Sequence, residues 1–379
     1  MSTVKANSFT DASGGSNAVL YGVAAPANSM GFRNRIINGA MVISQRNGTS
    51  SVNVPGTSYP YQMDRFYCGG LNGVATPFTL QQVTDAPTGF SNSVRITVAN
   101  TDALGNAATE YGFQTTFEAN NTSDFNLGTA NAITVTLSFW AKSSLTGTFG
   151  LGVRNAPTFN RAYVATYTIN SANTWEFKTI TLPLDTTGTW NSSGANASLN
   201  ISWSLGVGAN LRGTANTWQA GGAVQTSGSV NLVSNAAATW QITGVQLEAG
   251  SVASPFERRD YGRELMMCQR YYIKLGTDGA SFASWGNGVA NASNSVQGCV
   301  VRLPVTMRTQ PSVDFSTLRV YDGLGAAAIS SLSSVTALSN SNTIGFDASL
   351  GSSTLTAGKP VTVQANNSTS GYIAASAEL

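Results

Sequence analysis

The chain has 379 residues, 42% of them hydrophobic and only 10% charged; 20 basic and 18 acidic residues leave a formal net charge of +2, and histidine is absent. This length accommodates two or three domains with cores of their own, and near-normal hydrophobic content argues against a disordered chain. The even charge balance leaves no electrostatic footprint for nucleic acid, and without histidine the Ser-His-Asp and Cys-His nucleophile systems and the commonest metal ligand are excluded.

Residues 1–30 are small, polar and glycine-rich, with one short apolar run at 18–23. They cannot build a core, so they form either a disordered tail or an arm that orders on docking into a larger assembly. The opening MSTVKANSFTDASGG lacks the apolar stretch of a secretory signal, and synthesis and folding in a cytosol are expected. Residues 31–258 read as a first module. Asn38-Gly39 is a turn signal, and residues 41–45 alternate as a strand. Asp64 and Arg65, beside Phe66 and Tyr67, are expected to pair with Arg33, Arg35 or Arg46 and hold the mouth of the module closed, a partner dock being the alternative. Strands are predicted over 78–80, 94–98, 134–140, 149–153, 163–169, 177–182, 199–205 and 240–247. Val94, Ile96 and Val98 share one face, as do Val135, Leu137 and Phe139. Such period-two runs, punctuated by Gly, Asn and Ser, predict a β-sandwich or barrel, with two sheets about 10 Å apart burying the alternating faces.

At residues 259–275 the pattern becomes helical. Ser254-Pro255-Phe256 fixes an extended approach, and Asp260 is the expected N-cap. Tyr261, Leu265, Cys268 and Tyr272 form one seam at heptad spacing, with Met266 and Met267 alongside. A helix this short is marginal alone; it needs either its own sheets or copies of itself, and three copies around an axis would bury both edges of the seam. Cys68, Cys268 and Cys299 are odd in number and widely spaced, which speaks against a disulfide framework or a zinc site; they read as small buried hydrophobes. Residues 276–379 form a second, smaller β-module, with strands over 296–303, continuing at 305–307, and over 313–315, 318–321, 343–346, 361–363 and 372–375. No repeat of solenoid period appears, and no stretch reaches the ~20 apolar residues of a membrane helix.

The acids Glu110, Glu118, Asp185, Glu248 and Asp322 are scattered, and no local pattern selects a carboxylate pair for glycoside cleavage. Sugar binding fits the composition better: aromatic rings stack on pyranose C–H faces, while amides, carboxylates and guanidinium groups take the hydroxyls. In the second module the candidates are Phe282, Trp285, Asn287, Asn291, Tyr321, Asp322 and Tyr372. Trp285, in SFASWGNG, is either an exposed ring or a core-edge tryptophan, and Tyr372 reads more strongly as core. Trp190 and Trp218 sit in loop-like sequence and are candidates for a second site.

Four stretches carry a family resemblance: GVQLEAGSVASPFERRDYGRELMMCQRYY at 244–272, NRIINGAMVISQRNG at 34–48 with YQMDRF at 61–66, LPVTMRTQP at 303–311, and GYIAASAEL at 371–379. In this order they resemble the short tail-fibre, receptor-binding proteins of tailed bacteriophages. TVTLSFWAKSS, NTWEFKTITLPLDTTGTW and ITGVQLEAG resemble, in turn, the jelly-roll sandwiches of carbohydrate-binding modules, where Trp140 and Trp175 would be core or core-edge residues. The resemblance implies an all-β chain: a jelly-roll β-sandwich (31–258) and a smaller distal β-sandwich tip (276–379), joined by a short helix (259–275) in an elongated homotrimer. It also implies a virion tail location, docking of residues 1–30 on a baseplate or adaptor protein, and non-catalytic binding of a host-surface polysaccharide. The rivals are a glycan depolymerase and a purely structural virion part. A structural calcium in the jelly roll follows only by analogy; no metal ligands are assigned.

Overall fold

The computed structural model describes residues 33–276 and 279–379, together with the strand pair Val19–Leu20 and Val23–Ala24. Apart from that pair, the expected attachment arm lies outside the described residues. The chain divides into two units, Met1–Arg259 and Asp260–Leu379, and nearly all regular structure in both is strand.

In the first unit two antiparallel sheets enclose one core. The seven-stranded sheet runs in the order Trp218–Ala220, Arg161–Ile169, Gly147–Asn155, Ala197–Val207, Glu110–Glu118, Phe66–Leu71, Tyr61–Met63. The six-stranded sheet runs Glu176–Pro183, Thr134–Ser143, Thr239–Ala249, Ser93–Val98, Phe78–Val83, Val52–Val54. Every strand expected between residues 78 and 247 is present. Alternation sets the inner faces: Val135, Leu137, Phe139 and Ala141 leave the Thr134–Ser143 strand on one side and are fully buried. Phe139 meets Trp203 edge-on at 5.7 Å and Tyr167 at 5.1 Å from the opposite sheet. Burying a side chain of this kind contributes about 1.5–3 kcal/mol relative to leaving it exposed.

This unit departs from expectation at residues 41–45 and in the strands Val52–Val54, Tyr61–Met63, Phe66–Leu71, Glu110–Glu118 and Trp218–Ala220, which the pattern did not predict. Residues 41–45 form no strand. Met41 adopts φ +55°, and the Asn38 side chain substitutes for a neighbouring strand: its Nδ2 donates to the Ile43 carbonyl and its Oδ1 accepts from the Ile43 N–H, both at 2.9 Å. Conversely, Glu110–Glu118 is a central strand that the pattern did not predict. Glutamates bound it and Gly112 interrupts it, all weak strand formers. What makes the strand tolerable is distant in sequence: Arg154 pairs with Glu110 at 2.9 Å, both side chains nearly buried. As for the mouth charges, Arg35 pairs with Asp124 at 2.7 Å and Arg33 with Glu248 at 3.8 Å. Asp64 accepts from the Gln45 N–H at 2.7 Å, and Arg65 donates to the Thr116 carbonyl at 2.6 Å.

The second unit is also all-β, in a more closed form than two open sheets. Six strands make a closed barrel in the order Ser284–Ala292, Ser295–Arg302, Thr343–Leu350, Ala326–Ser333, Leu318–Tyr321, Pro360–Ala365. Three more, Tyr272–Gly276, Tyr372–Ser376 and Ser312–Ser316, form a sheet of their own. Glycine permits the tight closure: a Cβ on Gly286 would lie 2.4 Å from the Val300 carbonyl oxygen, and one on Gly288 2.5 Å from Cys299 Sγ. The expected continuation at 305–307 is irregular; the strand ends before Pro304, and Met307 turns into the core. Asp260 caps the helix Tyr261–Gln269 as expected, its Oδ1 accepting from the Arg263 N–H at 2.9 Å. All three cysteines are buried free thiols. Burial, helped by Asp347, pushes the Cys299 thiol up to about 12, and burial raises that of Cys68 as well.

Candidate functional site

The outer face of the six-stranded sheet carries an aromatic groove. Because Leu137 and Phe139 point inward, Ser138 and Trp140 point outward from the same strand. Phe177 lies directly opposite Trp140 in the neighbouring strand; the ring centroids are 5.4 Å apart, and Phe177 is 48% exposed. A second aromatic pair, Phe90 and Phe256, stands at 5.1 Å with planes at 72°. Arg258 extends over it, its guanidinium carbon 4.9 Å from the Phe90 centroid and 5.8 Å from that of Phe256. Together with Gly244, Ser254 and Pro255 these side chains line a cavity of about 360 Å³, toward the small end of the ~300–1,000 Å³ range of ligand sites.

Residues 254–258 form one wall of the groove, and buried polar groups hold them there. Glu248 accepts from the Ser254 N–H at 2.9 Å and hydroxyl at 2.5 Å, and Gln246 Oε1 accepts from the Glu257 N–H at 2.7 Å. Arg258 donates to the Gly89 carbonyl, tying this wall to the loop that carries Phe90. Four ring faces, two hydroxyls and one cation make a surface suited to a flat, hydroxylated ligand. The negative face of an aromatic ring attracts polarised C–H groups, and the polar edge fixes orientation. Trp140 is thus an outward, groove-lining residue, not a core residue. Trp175 lies on the same sheet face, its Nε1 donating to Asp85 at 3.2 Å with Lys142 5.8 Å from the ring.

Trp190 and Trp218 come together at 5.7 Å, edge to face. Both rings pack against the core, and their Nε1 protons are taken internally, by the Thr187 carbonyl at 3.1 Å and the Pro183 carbonyl at 2.8 Å. They brace a sheet edge, each ring half-buried.

In the second unit Phe282, Asn287 and Tyr321 share the outer wall of the barrel. Thr362 is paired with both Asn287 and Tyr321, and Phe282 and Tyr321 flank Arg319. The other candidates are engaged elsewhere. Trp285 lies on a strand, packed against the core and over Gly276, where a Cβ would come within 2.7 Å of the ring. Asn291 accepts from Ser295 Oγ at 2.7 Å within a hairpin. Asp322 accepts from the N–H groups of Gly325, Leu324 and Thr356 at 2.7–2.9 Å, which hold its carboxyl well below the usual range. Tyr372 donates to Asp314 at 2.8 Å.

The expected trimer seam divides. Tyr261 and Met266 are 63% and 54% exposed, Leu265 and Tyr272 half-buried, and Cys268 1% exposed. Cys268 therefore packs inside its own unit and offers no surface to another copy. Asp185 is bound by Arg161 at 2.8 Å, and Glu118 accepts from Asn120 at 3.2 Å. Among the described residues no three His, Cys, Asp or Glu side chains stand close enough to hold a metal ion.

No family model and no curated protein matches the sequence. Solved structures similar to this chain include the enzymatically active domain of bacteriophage CBA120 tailspike protein 4, at 16% identity and a TM-score of 0.31, covering 57% of this chain and 21% of that chain. A CBM4 module matches at 15% identity and a TM-score of 0.29, covering 56% of this chain and 98% of that one. TmCBM61, solved with β-1,4-galactotriose, matches at 9% identity and a TM-score of 0.29, covering 57% and 99%.

Proposed function

We propose that this chain is a non-catalytic, glycan-binding fibre protein of a phage tail, presented as a homotrimer on the virion and docked to a baseplate or adaptor protein through residues 1–30. The observation that carries the reading is the aromatic groove on the outer face of the sandwich, with Trp140 and Phe177 as the platform for a sugar ring. The sequence motifs at 34–48, 244–272, 303–311 and 371–379 support the tail-fibre setting. A neutral surface rich in hydroxyl and amide side chains suits recognition of a sugar polymer. Host-surface polysaccharide is the ligand class that such a fibre would meet during adsorption.

The test is binding of the full-length chain to an array of bacterial surface polysaccharides. The wild type should bind a defined subset. Trp140→Ala and Phe177→Ala should each weaken that binding by roughly three- to tenfold, the loss of a stacked ring being worth about 0.5–1.5 kcal/mol, with denaturation midpoints close to wild type. A wild-type chain that retains no glycan, or variants that bind as well as it does, would end this reading.

A further inference from the structure

Arg319 is a residue that no sequence pattern singled out. Its guanidinium carbon lies 4.2 Å from the centroid of Phe282 and 5.7 Å from that of Tyr321, both rings exposed on the barrel wall. Its Nε and Nη2 donate to Oε1 of Gln364 at 2.9 and 2.7 Å. That amide orients the fork without cancelling its charge, and among the described residues no carboxylate pairs with Arg319. Strand register places Gln364 opposite both Ser284 and Arg319, and Thr362 opposite both Asn287 and Tyr321. Ser284, Gln364 and Arg319 thus form one row and Asn287, Thr362 and Tyr321 the next; a half-buried, uncompensated cation stands between two aromatic faces, while Val320, Val361 and Val363 fill the barrel behind them. The nearby acid, Asp322, spends its carboxylate on the amides of its own loop.

We propose that this wall binds a carboxylated sugar residue, of the uronate or sialate type. The carboxylate takes the free Nη1 side of Arg319, the pyranose C–H face lies on Phe282 or Tyr321, and hydroxyls reach Asn287 and Thr362. A guanidinium stacked on rings is stripped of part of its water while keeping its full charge, so its contact with a carboxylate is stronger than that of a fully solvated side chain. A neutral sugar cannot use the charge, which makes the wall selective for acidic polymer. The inference rests on the glycan-binding reading for its class of ligand, but it concerns a different site from the groove.

Full-length wild type, Arg319→Gln and Trp140→Ala are compared on one array of neutral, uronate-containing and sialylated oligosaccharides, and the bound ones are titrated calorimetrically at low and at physiological salt. Trp140→Ala should keep the carboxylated ligands, with affinity falling as salt rises. Arg319→Gln should lose them by roughly tenfold or more, as removal of a charge-assisted pair implies, while keeping any neutral ligand of the groove. If Arg319→Gln proves unstable, Phe282→Ala must give the same selective loss. Neutral ligands bound through Trp140 with no carboxylated ones would overturn the inference and leave the groove standing. Carboxylated ligands held equally by Arg319→Gln would overturn it too.

Discussion

At Gly244 the backbone takes φ +62°, and a Cβ there would stand 2.7 Å from the Phe90 ring and 3.1 Å from Trp140. The position is constrained twice, once by a left-handed conformation that L side chains resist and once by the two rings that crowd it. Gly244→Ala is expected to cost about 1–3 kcal/mol of stability, read as a lower midpoint in urea denaturation. It should also weaken glycan binding beyond that loss, because Phe90 and Trp140 must move apart. An alanine variant with unchanged stability and binding would show that the groove tolerates displacement of its rings. Trp140 teaches a related lesson. Its outward direction follows from the inward one of Phe139, so alternation alone places it on the surface; the jelly-roll resemblance left core and core edge both open.

Where apolar residues alternate the faces are readable, which is why each strand predicted between residues 78 and 247 is present. Legibility failed where a distant partner supplied the stability. Glu110–Glu118 depends on Arg154, and the strand Ser284–Ala292, rich in Gly, Ala and Asn, depends on the backbone closeness that barrel closure demands. The groove was illegible for the same reason: its walls come from Phe90, Trp140, Phe177 and Phe256, joined only by the fold. Turn chemistry at the start of Glu176–Pro183 is, by contrast, local, its partners lying within six residues. Burial alone would raise the Glu176 carboxyl, but bonds from Lys178, Ser171 and Asn170 outweigh it and bring it down to about 2 from 4.5. Because the folded value is the lower one, the stability it brings is complete above 4.5 and is lost as pH falls through about 2. Unfolding free energies of wild type and Glu176→Gln, from urea denaturation, should therefore differ by about 1–3 kcal/mol at neutral pH in favour of wild type, and converge as the pH is lowered through that window. A constant gap would remove the assigned role.

For the whole molecule, affinity depends on how many sites act together. Single sugar contacts on shallow aromatic surfaces are weak, and linked copies raise retention through effective concentration without any new contact. Tyr261 and Met266, both more than half exposed on a nine-residue helix, are the apolar surface that a second and third copy would cover. Sedimentation of the full chain should give three times the monomer mass, and Tyr261→Ser combined with Met266→Ser should return it to monomer with its circular dichroism unchanged. A wild-type monomer at micromolar concentration would rule out the trimer. Both units hold their shape by non-covalent packing, with all three thiols buried and free and those of Cys68 and Cys299 made harder to ionise by burial. Such a fold has no disulfide for a reductant to open and no exposed thiol for air to oxidise, so its two cores are indifferent to the redox poise of their surroundings.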